Sequence, residues 1–391
     1  MAEMVLEDTP LAQFRARVMA DEAHQIAFAA IDDPAKFIAL ALERFDIPGL
    51  EVALRTATGP DPIGAFRFGP APQNGVRWPS AQWLPASVGL HDQPAWVDWI
   101  HFADRPLDLP FYENSLSVVR GRPFNRLFRY RMPLDTFVAD APADTPEPDG
   151  FVFHLSRCGS TLVAQMLAAV PEHVVVSEAP PLDHLLELAS TAPGTIDAIA
   201  ALRAMVAALT RDRSGITRHR FVKFDSWHTL ALPLLRRAFP DTPWIFLYRD
   251  PVEVLVSHAR MRGMQTAPGV LSSALFGLQD HPGVPLDDYA ARVLARTAEA
   301  VSGHWHLGGG MVVDYRELPE AVETRILPHF GITPDAEARA QMATAAQRDA
   351  KAPGQRFVPD SEQKQREAND ALRLVASSHL DTILAQVAAL T

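Results

Sequence analysis

The stretch of sequence that decides the fold runs Phe151-Val152-Phe153-His154-Leu155-Ser156-Arg157-Cys158-Gly159-Ser160-Thr161-Leu162. An apolar, aromatic-rich run typical of a buried strand ends in a short polar loop, and an apolar helical pattern follows at once. Backbone N–H groups of such a loop and of the first helical turn converge on one point in front of the helix. The stretch therefore predicts a strand–loop–helix unit that binds a phosphate or sulfate group.

The side chains of this loop differ from those of the common nucleoside-triphosphate loop. That loop requires Gly, four residues, and then Gly-Lys-Ser/Thr, and no such run occurs here. Instead Arg157 precedes Gly159-Ser160-Thr161, which offers the anion a guanidinium fork and two hydroxyls. A Cys-x5-Arg phosphatase loop is excluded because residue 164 is Ala, so Cys158 is interpreted as a small loop residue.

Composition limits the class of protein. Of the 391 residues, 48% are hydrophobic, which is ample for a buried core. The formal net charge of −11 argues against general nucleic-acid binding. The sequence has no apolar run of membrane-spanning length, the first eight residues hold three acids and no base, and Cys158 is the only cysteine. We expect a cytoplasmic protein without a membrane span, and its oligomeric state is left open.

Three regions differ in composition. Residues 1–137 form an N-terminal region that we expect to be mixed α+β. Its helical start shows Phe14, Val18, Ala23, Ile26 and Ala27 at helical spacing, and a second helix opens at Pro34 and runs through Phe45. Its remainder is rich in Trp, Pro and Arg, with possible strands at 115–119 and 127–130. Residues 138–150 form an acidic, Pro-rich linker, and residues 151–391 form the third region.

From residue 150 onward, apolar strand patterns alternate with helical ones. Strands are predicted at 151–155, 174–176, 220–224, 244–248 and 311–314. Helices are predicted at 161–169, 182–190, 198–209, 229–238, 252–261 and 286–302, with two more helical runs after residue 333. This alternation predicts an α/β fold: a P-loop-like parallel sheet covered by helices on both faces.

A second anion-binding segment follows the fourth of these strands. Arg249-Asp250-Pro251 stands at the end of the strand, with Asp250 suited to cap a helix and Pro251 suited to begin it. Arg249 therefore lies at the carboxyl end of a parallel strand, where open sheets bind ligands. Ser257, two turns into the helix, adds a hydroxyl.

The two segments together resemble sulfotransferases that use 3′-phosphoadenosine 5′-phosphosulfate (PAPS). In that family a strand–loop–helix of the Arg/Lys-Ser-Gly-Thr-Thr kind holds the 5′-phosphosulfate. The loop Ser156-Arg157-Cys158-Gly159-Ser160-Thr161 matches it, with Cys for Ser and Ser for Thr. An Arg-Asp-Pro segment followed by a Ser holds the 3′-phosphate, and Arg249 with Ser257 matches this pair. The resemblance covers about residues 150–360 and implies PAPS as donor.

Intermediate positions extend the resemblance to the protein-tyrosine and glycan branch. Glu178, after the short second strand, matches the family's base, and Lys223, near the end of the third, matches the lysine that contacts the transferred sulfuryl group. The resemblance thus implies Arg157, Lys223 and Glu178 as catalytic residues. Val313–Leu318 resembles the family's Tyr-Glu-x-Leu turn with Glu317 one place late, and residues 351–357 resemble its nucleotide-covering loop only loosely.

Other polar and aromatic residues have simpler explanations. His154 is interpreted as a core histidine, and Asp225 and His228 as polar loop residues unless the acceptor pocket uses them. His281, His304 and His306 have no matching ligand cluster, so no metal site is predicted. The tryptophans at 78, 83, 96 and 99 either line an acceptor surface or, by default, form a core.

The sequence leaves rival functions and the acceptor open. A divergent P-loop kinase or triphosphatase would need Mg²⁺, but the Gly-Lys-Ser/Thr run and an evident acidic metal pair are missing from the sequence. A non-catalytic nucleotide- or anion-binding protein is the third possibility. A small molecule, a glycan or a peptide could accept the sulfuryl group, on a hydroxyl or an amine.

Overall fold

The computed structural model describes residues 9–59, 73–89, 94–279, 283–351, 354–356 and 358–390. The predictions on residues 1–8 and on His281 lie outside the described residues. The same holds for positions 352, 353 and 357 of the predicted nucleotide-covering loop. Within the described residues, no helix is both long and apolar enough to cross a membrane.

Four short helices open the described chain. They are α1 (Pro10–Met19), α2 (Glu22–Ala29), α3 (Pro34–Arg44) and α4 (Leu50–Thr58). The side chains of Thr9, Asp21 and Asp33 accept hydrogen bonds from backbone N–H groups of the first turns of α1, α2 and α3, which fixes where these helices begin. The predicted helical start is confirmed.

The buried face of these helices is aromatic and differs partly from the predicted one. Phe14 contacts Phe28 and Phe45 edge to face, with ring centroids 5.4 and 5.5 Å apart. Ala23 and Ile26, predicted to share the buried face, are exposed. The reason is that the chain breaks between α1 and α2 at Asp21, which resets the helical phase.

The rest of the N-terminal region is a four-stranded sheet with three helices. These elements are β1 (Gln73–Asn74), β2 (Trp83–Val88), β3 (Trp96–His101), α5 (Tyr112–Arg120), α6 (Pro123–Leu127), β4 (Tyr130–Pro133) and α7 (Leu134–Ala139). The strand order is β1-β4-β3-β2, with antiparallel pairs except for β1 and β4. Trp83 and Trp99 are fully buried in this core, and Trp78 stacks on Phe137 at 5.0 Å.

Two strands predicted in this region are wrong. Residues 115–119 lie in α5, because Tyr112, Ser115, Leu116 and Val119 recur every three or four residues and bury one helical face. The β-branched pair 118–119 favours a strand, but the helical spacing of the buried residues determines the structure here. Residues 127–130 straddle the end of α6 and the start of β4, so the strand lies three residues later than predicted.

From residue 150 the chain builds the expected parallel sheet. Its strands are β5 (Gly150–His154), β6 (His173–Ser177), β7 (His219–Lys223), β8 (Trp244–Tyr248) and β9 (Gly310–Asp314), in the order β6-β7-β5-β8-β9. Every pairing between them is parallel. The fold class is therefore confirmed: a P-loop-like α/β sheet between helices, with an N-terminal α+β addition.

Helices connect and follow these strands. They are α8 (Ser160–Ala168), α9 (Pro180–Thr191), α10 (Ala198–Leu209), α11 (Leu232–Ala238), α12 (Pro251–Arg260), α13 (Leu286–His304), α14 (Leu327–His329), α15 (Ala336–Ala346), α16 (Ser361–Glu367), α17 (Asp370–His379) and α18 (Asp381–Ala388). The helix predicted at 229–238 is instead a 3₁₀ turn, Ser226–Ala231, followed by α11, which has Pro233 in its first turn. Four helices, not two, follow residue 333 among the described residues.

The N-terminal region packs directly on the α/β part. Arg211, just after α10, donates to the carbonyl oxygens of Pro79 (2.6 Å) and Trp83 (3.2 Å). The backbone N–H of Val88, at the end of β2, donates to Nδ1 of His184 on α9 at 3.3 Å. Buried residues of both parts belong to one continuous hydrophobic core. The division at residues 137 and 151 stays a prediction.

Candidate active site

The loop between β5 and α8 lies at the carboxyl end of the sheet and has a strained backbone. Ser156 and Arg157 have φ angles of 89° and 54°, in the left-handed region that side chains rarely adopt. Gly159 follows at φ 86°, and a Cβ there would lie 2.7 Å from Cδ1 of Leu318. Strain of this kind is concentrated at ligand-binding loops, since surrounding contacts must hold it.

The loop side chains divide into ligand-facing and structural ones. Arg157, Ser160 and Thr161 line a cavity in front of α8, where the helix N-terminus favours an anion. Nη2 of Arg157 donates to the carbonyl oxygen of Met261 at 2.9 Å, which anchors the guanidinium over this cavity. The Cys158 thiol is buried and donates to the carbonyl oxygen of Leu247 at 3.2 Å, and burial raises its pKa to about 11. Cys158 is therefore a packing residue rather than a nucleophile.

Lys223 and Glu178 meet at the ends of neighbouring strands. β6 and β7 pair in register through Ser177 and Lys223, and the backbone N–H of Glu178 donates to the carbonyl oxygen of Lys223 at 2.8 Å. Their side chains form an ion pair, with Nζ of Lys223 against Oε1 of Glu178. Lys223 is 1% exposed, and Glu178 has a left-handed φ of 51°. Two residues 45 positions apart are thus joined as one charged unit.

His154 is the third member of this unit. It is buried at the end of β5, as predicted for a core histidine, but its Nε2 lies 3.3 Å from Oε1 of Glu178 and 3.1 Å from the carbonyl oxygen of Phe224. Nδ1 accepts the backbone N–H of Ser156 at 3.2 Å. Burial, reinforced by the Lys223 charge, lowers the pKa of His154 to about 4. The imidazole is therefore neutral and donates through Nε2.

These contacts set the charge on Glu178. Burial alone raises the pKa of a carboxyl group, but the Lys223 ammonium and the His154 hydrogen bond outweigh it and lower the pKa of Glu178 well below its ordinary value. In this state Glu178 is an ionised carboxylate of weak basicity. Its basicity depends directly on where the Lys223 ammonium lies.

The second anion-binding segment is assembled around Arg249. Asp250 caps α12 through the backbone N–H of Glu253 at 3.1 Å, and Pro251 begins that helix, as predicted. The Arg249 guanidinium stacks 3.8 Å over the ring of Tyr315 and is held by Glu253 at 2.6 Å. Ser257 Oγ, one turn further along α12 than Glu253, donates to the Glu253 carbonyl oxygen at 2.8 Å.

One cavity of about 580 Å³ contains both segments, a volume typical of small-ligand sites. Every predicted site residue except Lys223, which lies beneath Glu178, is on its wall. Other residues on the wall were not predicted as site residues, although Asp225 and Lys351 were considered: Phe111, Asp225, Trp227, Arg260, Met264, Gln265, Lys351, Asp360 and Lys364. Phe111 follows a stretch rich in Pro and Asp that has no helical or strand periodicity, so no sequence pattern marks it.

Lys351 begins the segment 351–357, which loosely resembles the nucleotide-covering loop of sulfotransferases. Burial and the nearby Arg157 guanidinium lower the pKa of Lys351 to about 8. The charges of Arg157 and Lys223 both act on Lys351 in addition to burial, so several cations lie close together in this part of the cavity. Such crowding is unfavourable in the protein alone and is relieved when an anion binds.

Residues 148–336 match the model of the sulfotransferase family. This match confirms the resemblance to sulfotransferases, although it does not single out a branch of the family. A search of curated proteins gave no match to the chain.

Several solved structures are similar to this chain at low sequence identity. A sulfotransferase of Mycobacterium tuberculosis is 15% identical, with a TM-score of 0.43 over 69% of this chain and 85% of that one. The sulfotransferase domain of the curacin biosynthetic pathway is 16% identical, with a TM-score of 0.38 over 60% of this chain and 98% of that one. A sulfotransferase of Alicyclobacillus acidocaldarius is 17% identical, with a TM-score of 0.38 over 63% and 96%.

Proposed function

We propose that this protein transfers a sulfuryl group from PAPS to a hydroxyl, or an amine, of an acceptor. The observation that carries the proposal is the placement of charges in one cavity. A strained loop with Arg157 and the buried Lys223–Glu178 pair adjoin one part of it, and Arg249 with Ser257 adjoins another. Two separate cationic positions suit a ligand with two separate anionic groups, as PAPS has.

In this proposal the loop at 156–161 binds the 5′-phosphosulfate. The backbone N–H groups at the start of α8 and the hydroxyls of Ser160 and Thr161 donate to its oxygens, and Arg157 adds a fixed positive charge. Arg249 and Ser257 bind the 3′-phosphate. PAPS supplies an activated sulfuryl group on a phosphate leaving group, and the protein has to orient it and stabilise the charge that develops on the leaving oxygen.

Lys223 and Glu178 divide the chemistry. Lys223 stabilises the oxygen between phosphorus and sulfur, and Glu178 accepts the proton of the acceptor. The ion pair couples the two roles: when the Lys223 ammonium turns to the donor, Glu178 loses the charge that lowers its pKa and becomes a stronger base. The donor thereby prepares the base that the acceptor needs.

Cationic side chains carry the charge stabilisation in this scheme, so it requires no metal ion. The acceptor-side wall combines apolar and polar side chains, Phe111, Trp227, Met264 and Gln265. Such a wall is compatible with a small molecule, a glycan or a peptide side chain. A cytoplasmic location stays a prediction.

Calorimetric titration with 3′-phosphoadenosine 5′-phosphate, AMP and ATP with Mg²⁺ tests the donor. We expect the bisphosphate to bind at least about tenfold more tightly than AMP, since its 3′-phosphate adds a charge-assisted contact. Arg249→Ala should remove most of this difference while leaving AMP binding nearly unchanged. Preference for ATP with Mg²⁺ would instead support the kinase or triphosphatase alternative, and bisphosphate binding without transfer to any acceptor would support a binding protein.

A further inference from the structure

Two buried polar residues near Glu178, Asp225 and His228, and the partly exposed Asp183 have no part in the function described so far. Asp225 follows β7, His228 lies on the 3₁₀ turn at 226–231, and Asp183 lies in the first turn of α9. Side-chain exposure is 11% for Asp225, 3% for His228 and 28% for Asp183. Groups of this kind are rarely buried without a partner or a function, because burial of their charge is costly.

The three residues and Glu178 form a chain of contacts. The carboxyl group of Asp225 lies near that of Glu178, whose charge adds to burial in raising the pKa of Asp225. Oδ2 of Asp225 lies 3.9 Å from Nδ1 of His228, and Nε2 of His228 lies 2.8 Å from Oδ1 of Asp183. Asp183 also accepts the indole N–H of Trp227 at 2.7 Å, which fixes its position. The chain leads from the centre of the site to a carboxylate that solvent reaches.

The protonation states along this chain are determined by its geometry. A neighbouring carboxylate disfavours ionisation of a second, buried carboxyl group, so the pair Glu178 and Asp225 retains one proton. Burial and the Glu178 charge raise the pKa of Asp225 well above its ordinary value, which places the proton on Asp225. Asp183, held by His228 and Trp227, is ionised, since these donors outweigh its burial and lower its pKa.

His228 is oriented to receive a proton. Because Nε2 donates to Asp183, the neutral imidazole carries its lone pair on Nδ1, on the side of Asp225. Within the described residues, Nδ1 is buried and has no hydrogen-bond partner. An imidazole held through Nε2 by a carboxylate, with a free Nδ1 directed at a protonated acid, is an arrangement for moving a proton.

We propose that Asp225, His228 and Asp183 form a proton relay that returns Glu178 to its ionised state during sulfuryl transfer. This inference rests on the proposed function. The acceptor oxygen forms its bond to sulfur as the bond from sulfur to the leaving phosphate oxygen breaks, and the acceptor proton passes to Glu178. Asp225 then gives its own proton to Nδ1 of His228 and takes the proton from Glu178. The Asp183 carboxylate stabilises the imidazolium, and once the product has left, the proton on Nδ1 returns to Asp225 while the Asp225 proton passes through Glu178 to solvent in the cavity, which restores every group to its starting state.

The relay is tested by comparing acceptors that differ in ionisation. Single-turnover transfer from PAPS is measured with 4-nitrophenol, which is ionised at about pH 8.5, and with 4-ethylphenol, which is not. Asp225→Asn and His228→Gln should slow transfer to 4-ethylphenol by at least about tenfold and transfer to 4-nitrophenol by less than about twofold. If neither phenol is accepted, transfer to water takes the place of 4-ethylphenol, with the same expected decrease.

Two controls separate the relay from folding and from the donor site. Thr229→Val removes a buried hydroxyl of the same 3₁₀ turn, which donates to the Ser226 carbonyl oxygen, and it should leave both rates unchanged. Binding of 3′-phosphoadenosine 5′-phosphate should be the same in all variants. Wild-type protein that does not bind 3′-phosphoadenosine 5′-phosphate would overturn the proposed function and the relay together. An active wild type with equally active relay variants would overturn the relay alone.

A measurement on the wild-type protein tests the relay without relying on variants that could misfold. Nitrogen-15 NMR of the histidines should show His228 with its proton on Nε2 and an unprotonated Nδ1. A doubly protonated His228 would contradict the relay, because it leaves no lone pair to receive the proton. Inhibition of wild-type transfer by a chelator, reversed by a divalent metal and absent in Asp225→Asn, would also overturn it, since the three residues would then act as ligands.

Discussion

Oδ1 of Asp360 lies 2.8 Å from Nη2 of Arg249, so a carboxylate from the C-terminal segment neutralises the arginine proposed to bind the 3′-phosphate. Asp360 immediately precedes α16 and also binds Lys364 through its other oxygen at 2.7 Å. Ser361 accepts a hydrogen bond from the same Nη2 at 3.1 Å. Without donor, the Asp360 carboxylate has the contacts that a phosphate would make, so a 3′-phosphate has to compete with it.

The first prediction concerns this competition. Asp360→Asn removes the negative charge but keeps the side-chain volume, so 3′-phosphoadenosine 5′-phosphate should bind about three- to tenfold more tightly. AMP, which has no 3′-phosphate, should bind as before. Isothermal titration of both ligands measures the difference.

A matched variant controls for the charge change. Glu362→Gln removes one negative charge from an exposed residue two positions further on, in the first turn of α16. It should change bisphosphate affinity by less than about twofold, because exposed charges are screened. Equal tightening of AMP and bisphosphate by Asp360→Asn would show that Arg249 binds a different group.

The second prediction separates binding from chemistry at the buried ion pair. Lys223→Met keeps the volume of the side chain but removes the ammonium, and Glu178→Gln removes the base. Both should retain bisphosphate affinity within about threefold while single-turnover sulfuryl transfer falls by about 10²-fold or more. Lys364→Met is the control for losing a buried lysine of the same cavity: it should weaken bisphosphate binding but leave transfer at saturating PAPS largely intact. Normal transfer in either test variant would remove that residue from the mechanism.

Much of the α/β part could be predicted from the sequence because its signals are local. Apolar runs such as Trp244–Tyr248 end at polar segments with capping residues, and both the strands and the anion-binding loop follow from that pattern. The order of the strands in the sheet does not follow from local signals. In the structure, β5 lies between β7 and β8, and no local pattern in the sequence indicates this position.

The contacts that define the site could not be predicted from the sequence. The chain from Glu178 to Asp183 runs through residues on three different elements, and Asp225 and His228 looked like ordinary loop residues until Nδ1 of His228 was found buried beside a carboxyl group. In the same way, Asp360 carries no pattern that links it to Arg249, 111 positions earlier. Ion pairs across such separations depend on tertiary packing, which local propensity does not encode.

The third prediction is a pH dependence of stability caused by Asp225. Its pKa is raised in the folded protein, so between about pH 4 and the folded-state pKa the folded state holds a proton that the unfolded state has lost. This contribution to stability is fully present below the unfolded pKa and declines as pH rises, by up to about 1.4 kcal/mol per pH unit.

Asp225→Asn removes this contribution, so its melting temperature should rise relative to the wild type as pH increases from about 4.5 to 8. Calorimetric scans at matched ionic strength measure the difference. Asp197→Asn, at the exposed N-cap of α10, is the control and should show no such trend in this range. A constant offset between Asp225→Asn and wild type at all pH values would mean that Asp225 is already ionised in the folded protein.

The last prediction concerns Cys158, which stands within the anion-binding loop where a reactive thiol could be suspected. Because the thiol is buried and its pKa is raised to about 11, iodoacetamide at about pH 8 should leave the native protein unmodified and fully able to bind the bisphosphate. In urea the same reagent should modify one residue per chain, since Cys158 is the only cysteine. Intact-mass spectrometry measures both reactions.

Cys158→Ser keeps a small side chain that can donate to the Leu247 carbonyl oxygen. It should bind the bisphosphate within about threefold of wild type, because the role of this residue is packing and not thiolate chemistry. Rapid alkylation of the native protein with loss of binding would show instead that the loop opens to solvent. The strained backbone of the loop would then not be held in place in the protein without bound donor.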